Sequence, residues 1–391
     1  MFFDGIPFRS IFVGSAIALC AFGAGAQAKP YTVLHNFAGP PGDGSYIANN
    51  VGFGANGEMY GATNLGGTAD SGTVFEIAPD GTYTVLHSFD GAAGGLDPNA
   101  GVTIDPATGD LYGTTTFGGS GCLGFHSGCG VLYRLSPSGK FKILRTFDDA
   151  VDGRYPVGQL VRDKLGNFYG IGTTGGPNLG GTVFEYSAKG IFTVLHAFSG
   201  DDGFEPQGSL LRERAGNLYG ATYSGGANDY GTVFKLTPKG KLTTLYSFTG
   251  GKDGGYPAGG LDRDKAGDIY GATNLAGNGS TPFGTVFKLA PDGTLTTLYA
   301  FTGGADGGYP AGNILQSGGK LYGTTAGGGA DDDGIVYEVD PAAGSETVLH
   351  SFAGSDGAGP QAGLTKMHNR LYGTASGGGT GGYGVVFRVK R

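Results

Sequence analysis

Apolar residues in this chain come in short runs separated by turn residues. In the run Thr232-Val-Phe-Lys-Leu-Thr237, a Pro238-Lys-Gly240 turn leads into Leu242-Thr-Thr-Leu-Tyr-Ser-Phe248. That text predicts two strands joined by a tight turn, with Pro and Gly presetting the turn dihedrals. Closely similar text stands at Thr73–Phe89, Thr182–Phe198, Thr285–Phe301 and Ile335–Phe352. Neither strand alternates strictly between apolar and polar positions, which predicts a sheet covered on both faces. Two further strand signals precede the pair, Gly208–Arg214 and Asn217–Thr222, around a Gly216-Asn217 turn. Each copy thus predicts four strands, A to D, with C at Thr232–Thr237 and D at Leu242–Phe248.

A Tyr-Gly pair in strand B marks the period. It falls at Tyr60, Tyr112, Tyr169, Tyr219, Tyr270, Tyr322 and Tyr372, with spacings of 52, 57, 50, 51, 52 and 50. Seven units of about 50–57 residues, built from short strands and Gly-rich turns, predict an all-β, seven-bladed β-propeller with four-stranded blades. A parallel β-helix has shorter coils and fewer hairpin signals, and fits less well. The two ends support closure of the ring. Tyr31-Thr-Val-Leu-His-Asn-Phe37 is an isolated strand D, and Tyr383-Gly-Val-Val-Phe-Arg-Val389 is a strand C without its D. The first strand is therefore expected to complete the last blade, which removes an open sheet edge.

Composition narrows the class. The 83 Gly show no Gly-X-Y period, and 25 Phe with 21 Tyr supply far more core material than a disordered chain carries. A net charge of -8 without a basic patch argues against nucleic acid as a partner. Ile11–Phe22 is apolar but too short to span a bilayer, and Ala26-Gln-Ala28 fits a small-x-small cleavage site. Residues 1–28 thus read as a signal peptide and 29–391 as the propeller. Leu19 stands where lipid attachment at Cys20 would need a small residue. No later segment approaches transmembrane length, so the expectation is a secreted or periplasmic protein with no membrane insertion after cleavage, and a monomer. Cys122 and Cys129 lie in one loop, and in an exported chain this spacing predicts a loop-closing disulfide rather than half of a zinc site. His126 lies between them without a second Cys or His pair.

The repeated text Leu111–Thr115, Gly231–Phe234, Thr84–Phe89 and Asp306–Pro310 resembles the GloVer tandem-repeat family of exported bacterial proteins. The resemblance covers essentially everything after the signal. It implies a secreted or surface-anchored propeller, and it supplies no catalytic residues. Members carry C-terminal anchoring segments, whereas this sequence ends at Arg391 directly after strand C.

Two sets of residues repeat with the blades. His35, His87, His196 and His350 share one place in strand D with Arg145, Tyr246 and Tyr299. A residue recurring once per blade on an outer strand predicts packing and hydrogen bonding, not a metal set. Asp43, Asp152, Asp202, Asp253, Asp306 and Asp356, each followed by Gly, read as Asx-turns in the D–A connector. The sharper reading is a ring of carboxylates for calcium or a polyhydroxylated ligand. Gly94 breaks that ring in the second connector. The B–C loops step 9 residues each, except 15 in the second copy and 11 in the fifth. B–C and D–A loops leave a propeller on one face, where ligands bind. On that face the sequence places Asp331, Asp332 and Asp333. Phe117, Phe125, Tyr223, Tyr230 and Phe283 join them, with Tyr155, Tyr256 and Tyr309 just before prolines. Aromatic rings there suit the C–H faces of sugars. Asp331, Asp332, Asp333, Phe283, Tyr223 and Tyr230 are the ligand-binding candidates.

No nucleophile elbow, metalloprotease helix, P-loop or dinucleotide fingerprint is present, and no metal set. The expected function is binding of an extracellular carbohydrate or a protein partner, with no cofactor beyond an open question of calcium. The alternatives are a propeller sugar lyase, hydrolase or lactonase with acids converging on the central channel, or a purely structural surface protein. For the enzyme, Asp163, Glu213, Asp262 and Asp264 beside strand A are the acids to follow, although similar acids recur across blades.

Overall fold

A computed structural model describes residues 31–91, 93–120, 122, 128–275 and 283–391. The segment read as a signal peptide lies outside them. Every element among the described residues is a strand, and the strands form seven four-stranded antiparallel blades of a β-propeller, with strand A of the sixth blade split into Gly308–Pro310 and Leu315–Ser317 and a separate short ladder of Gly44–Ser45 with Leu65–Gly66. Among the described residues no helix is long and apolar enough to cross a membrane. Tyr31–Asn36 pairs antiparallel with Val385–Lys390, from Tyr31 opposite Val389 to Asn36 opposite Val385. The first strand therefore closes the seventh blade, as the two incomplete ends predict.

In the fourth blade the strands are Phe204–Arg212, Leu218–Ser224, Thr232–Leu236 and Leu242–Ser247. Strand A starts earlier than the sequence pattern suggests and runs through Pro206, which stands opposite Thr222. Strand A is the inner edge, where a missing N–H costs no ladder bond. In the first, second and fifth blades it shrinks to two residues, Gly52–Phe53, Thr103–Ile104 and Asp262–Arg263.

The core lies between blades. Seven buried clusters are found, each shared by two neighbours; one joins Tyr219, Val233 and Phe248 of the fourth blade to Ile269, Phe287 and Leu289 of the fifth. Two devices explain how both faces of each sheet are filled. First, the Gly of every Tyr-Gly pair stands opposite the aromatic residue of strand C, as Gly220 opposite Phe234. A Cβ on Gly220 would lie 2.5 Å from the Phe234 ring. The glycine seats a ring rather than forming a bulge. Second, the bulge sits in strand D. Pairing steps from Val233–Tyr246 to Phe234–Thr244 and leaves Leu245 unpaired, turned onto the next blade. Leu34, Leu86, Leu144, Leu195, Leu298 and Leu349 are skipped in the same way. A bulge shifts the period-2 alternation by one residue, which is why strand D reads irregularly in sequence.

A third device ties blades together at the loop face. The residue before each connector proline has positive φ: Asp97 (59°), Tyr155 (56°), Glu205 (56°), Tyr256 (58°) and Tyr309 (61°), with Tyr46 (54°) at the equivalent place. Such a conformation is costly for a non-glycine residue and persists only when its surroundings fix it. Here each N–H donates to the preceding blade, as Tyr256 to the Tyr230 carbonyl at 2.8 Å, and the Tyr256 carbonyl accepts from Asn274 of its own blade. The following proline packs on the glycine that opens strand C next door. A Cβ at Gly231 would come within 2.8 Å of Pro257 Cδ.

Candidate functional site

The two repeated polar residues of the sequence are partners of one another. His35 Nε2 lies 3.1 Å from Asp43, His196 Nε2 2.7 Å from Asp202, and His350 Nε2 2.9 Å from Asp356. Tyr246 and Tyr299 donate to Asp253 and Asp306 at 3.1 and 3.0 Å, and Arg145 grips Asp152 with two bonds of 2.8 Å. Each carboxylate also accepts the N–H of the residue after the phenylalanine that ends strand D, such as Ala38, Asp148 and Thr249. For Asp43 burial raises the carboxyl, yet the hydrogen bonds from His35, Tyr83, Ala38 and Gly44 outweigh it and hold it below the usual range. His87, whose connector lacks this Asp, is pushed below the usual imidazole range by burial. The same strand-D side chains stack on the next blade: His350 on Tyr31 at 3.6 Å, His35 on Tyr83 at 3.8 Å, His87 on Phe141 at 4.1 Å. Glu346 occupies the corresponding place in the sixth blade. Burial, then the nearby Asp306 charge, push its carboxyl up to about 7.

The repeated acids are thus engaged inside their own blades. Among the described residues no three His, Cys, Asp or Glu side chains come together as a metal ligand set. Asp331 and Asp332 are exposed, and Asp332 (φ 64°) accepts the Gly328 N–H at 2.8 Å, a turn-forming role. The acids beside strand A serve contacts on the opposite face. Glu213 pairs with Arg263 at 2.8 Å, Asp163 lies 3.5 Å from Arg212, Asp262 accepts the Gln316 N–H, and Asp264 accepts from Tyr270.

The loop-face aromatics do come together. Tyr256 contacts Tyr223 and Tyr230 at ring distances of 5.1 and 5.3 Å, Phe283 meets Tyr309 at 5.4 Å, and Phe117 meets Tyr155 at 5.0 Å. Cys122 and Cys129 form the expected disulfide, and the Cys129 carbonyl accepts the Tyr155 N–H. Phe125 and His126 lie outside the described residues.

A concavity on this face is one the sequence patterns did not single out. A cavity of about 320 Å³ occupies the channel mouth and is lined by residues from all seven blades. Its wall is the segment after each connector proline. The first and third residues of that segment set the lining: Ala48 and Asn50, Asn99, Val157 and Gln159, Gln207 and Ser209, Ala258, Ala311 and Asn313, and Gln361. The residue between them is Gly or Ala in every blade but the first, which has Asn49, because inner strands touch there. Gly158 (φ 73°) would drive a Cβ into the Gly208 carbonyl. Deeper polar groups stitch the blades. Gln159 Nε2 donates to the Val102 carbonyl at 2.5 Å, Asn313 Nδ2 to Ser209 Oγ at 3.1 Å, and Asn49 Nδ2 to Ala62 and Pro98. The Asn49 Oδ1 acceptor is buried without a partner among the described residues. No side-chain hydrogen bond to a described residue engages Asn50, Asn99 or Gln207. Among the described residues the lining contains no Asp, Glu, His, Lys, Arg or Cys. Asp97 and Glu205 stand at the rim in two different blades but do not line the cavity. Asp97 accepts from Asn64 at 2.7 Å, and burial raises its carboxyl. Such an arrangement offers neutral donors, acceptors and ring faces to a ligand, without a fixed charge.

The Gloeobacter/Verrucomicrobia repeat matches this sequence twice, over residues 21–215 and 187–387. No curated protein sequence matches it significantly. Among solved structures, virginiamycin B lyase from Staphylococcus aureus is similar in fold, with TM-score 0.59 and 13% identity over 93% of this chain and 98% of that one. Oligogalacturonate lyase from Vibrio parahaemolyticus gives TM-score 0.58 and 10% identity, with 94% of each chain covered. The extracellular domain of a putative hybrid two component system from B. thetaiotaomicron gives 0.59 and 10%, and the chain spans 39% of that protein's length. At these identities the likeness is one of fold.

Proposed function

The chain belongs to the Gloeobacter/Verrucomicrobia repeat family, and from that premise we propose that it is a propeller outside the inner membrane that binds a neutral carbohydrate at the channel mouth without transforming it. The observation that carries this reading is the cavity lining: side-chain amides, hydroxyls and aromatic rings, with no charged side chain among the described residues. Sugars present hydroxyls that amides pair with in both directions and C–H faces that rings cover. General acid–base chemistry on a sugar needs a positioned carboxyl or imidazole at the reacting bond, and none lines the cavity among the described residues. The loop disulfide supports an oxidising compartment.

The test is a glycan-array and calorimetric survey of protein comprising residues 29–391, run with calcium and with chelator. Saturable binding to neutral glycans, indifferent to chelation and weakened about tenfold or more by Gln207→Ala or Asn99→Ala, is the expected result. Selective binding of acidic glycans, or turnover of a glycan that Asp97→Asn or Glu205→Gln abolishes, would replace this reading with the enzymatic one.

A further inference from the structure

The wall of the channel cup is uneven. On the side of the seventh and first blades, Gln361 Nε2 donates to the Tyr46 hydroxyl at 3.4 Å and bridges the rim. Asn99 and Gln207 stand tall in the second and fourth blades. The fifth blade instead has Ala258 and Gly260 at the two wall-setting positions, and the sixth has Ala311 at the outer one. The wall is lowest there.

Immediately outside that low wall stand aromatic rings. Tyr256 is two residues before Ala258 and Tyr309 two before Ala311, so each lies within about 7 Å of the cavity lining, measured along the backbone. Tyr256 joins Tyr223 and Tyr230 in one cluster, and Tyr309 joins Phe283 and is 36% exposed. The positive φ of both tyrosines is locked by N–H bonds of 2.8 and 2.9 Å to the preceding blade. Rings on a fixed backbone lose little freedom on binding, which favours affinity.

We infer that the site is two-part and takes a chain rather than a single sugar: one end of a linear neutral oligosaccharide sits in the amide-lined cup, and the following units cross Ala258 and Ala311 onto the Tyr256 and Tyr309 rings. This rests on the carbohydrate reading above. A linear glycan presents hydroxyls to the cup amides and C–H faces to the two tyrosine rings at successive units, which makes it the occupant.

The experiment measures affinity for one neutral oligosaccharide series of increasing length, with the full mature chain. Affinity is expected to rise about tenfold, the equivalent of ~1.4 kcal/mol, from the monosaccharide to the trisaccharide and then level off. Tyr256→Asn and Tyr309→Asn remove the rings while keeping a residue that tolerates positive φ. They should erase the gain for longer chains and leave monosaccharide affinity unchanged. Binding that depends on Gln207 but not on length, and is indifferent to both tyrosine substitutions, overturns the two-part site and leaves the carbohydrate reading standing. No saccharide binding at any length, or capture of a polypeptide alone, overturns both.

Discussion

Replacing Gly220 by Ala tests the packing device on which every blade depends. The added Cβ would lie 2.5 Å from Phe234 Cζ, 2.9 Å from Cε1 and 3.1 Å from Leu210 Cδ2. Ordinary carbon contacts are about 3.5–4.0 Å, so the ring must retreat by roughly 1 Å. It has nowhere to go: Phe234 is fully buried, against Leu210, Leu218 and Phe198. Overpacking of this kind costs about 1–3 kcal/mol. Gly220 does not have positive φ, so Ala regains about 0.4–1 kcal/mol through a less flexible unfolded chain. The net expectation is a loss of about 1–2 kcal/mol. Because the chain has no Trp, urea unfolding is followed by far-UV circular dichroism or tyrosine emission. Phe234→Leu removes the ring that clashes, so the double variant should be less destabilised than the two single losses added together, by about 1 kcal/mol. A Gly220→Ala protein as stable as the parent, or losses that simply add, would refute the argument that the glycine exists to seat the ring.

Asp152→Ala should cost about 2 kcal/mol, since Asp152 is 1% exposed and leaves Arg145 without its paired carboxylate, whereas Asp202→Ala at its more exposed site should cost about 1 kcal/mol; equal losses in urea titrations would show that burial does not set the difference. Glu346 gives a pH dependence. Its folded carboxyl sits near 7, above the ordinary glutamate value, so the native state binds more protons between about pH 4.5 and 7 and stability falls as pH rises through that window. Glu346→Gln should therefore match the parent near pH 4.5 and exceed it by about 1 kcal/mol at pH 8, a solvent-screened part of the full linkage; a parallel offset at both pH values would exclude this account.

The ring was legible in the sequence because its signals are local and repeated. Strand, turn and Tyr-Gly pair recur within each unit, and Tyr31–Phe37 and Tyr383–Val389 are visibly halves of one blade. The irregular alternation of strand D was legible as an anomaly only, since a bulge at Leu245 is a property of pairing and not of composition. Tyr223 and Tyr230 meet at Tyr256, as their shared face suggested. Asp331, Asp332 and Asp333 lie on that face too, but Asp332 folds back to its own turn. The strand-D residues and connector acids look like two patterns in text because a loop separates them, although in space they are paired in every blade but the first, by His35, His196 and His350 in three and by Arg145, Tyr246 and Tyr299 in the others. The channel cup was hidden for a different reason. Its residues come from every blade, about 50 residues apart, and Asn99, Gln207 and Gln361 sit inside a Pro-and-Gly connector that reads as turn chemistry. The available signal was variation: these positions differ between copies, six of which keep the preceding Pro.

Closure of the seventh blade fixes a direction in space. Strand D of each blade begins at the C–D turn, and strand C ends there, so Tyr31 and Val389 are neighbours on the side away from the channel mouth. The cup and the rings of Tyr256 and Tyr309 thus face away from both ends of the described fold.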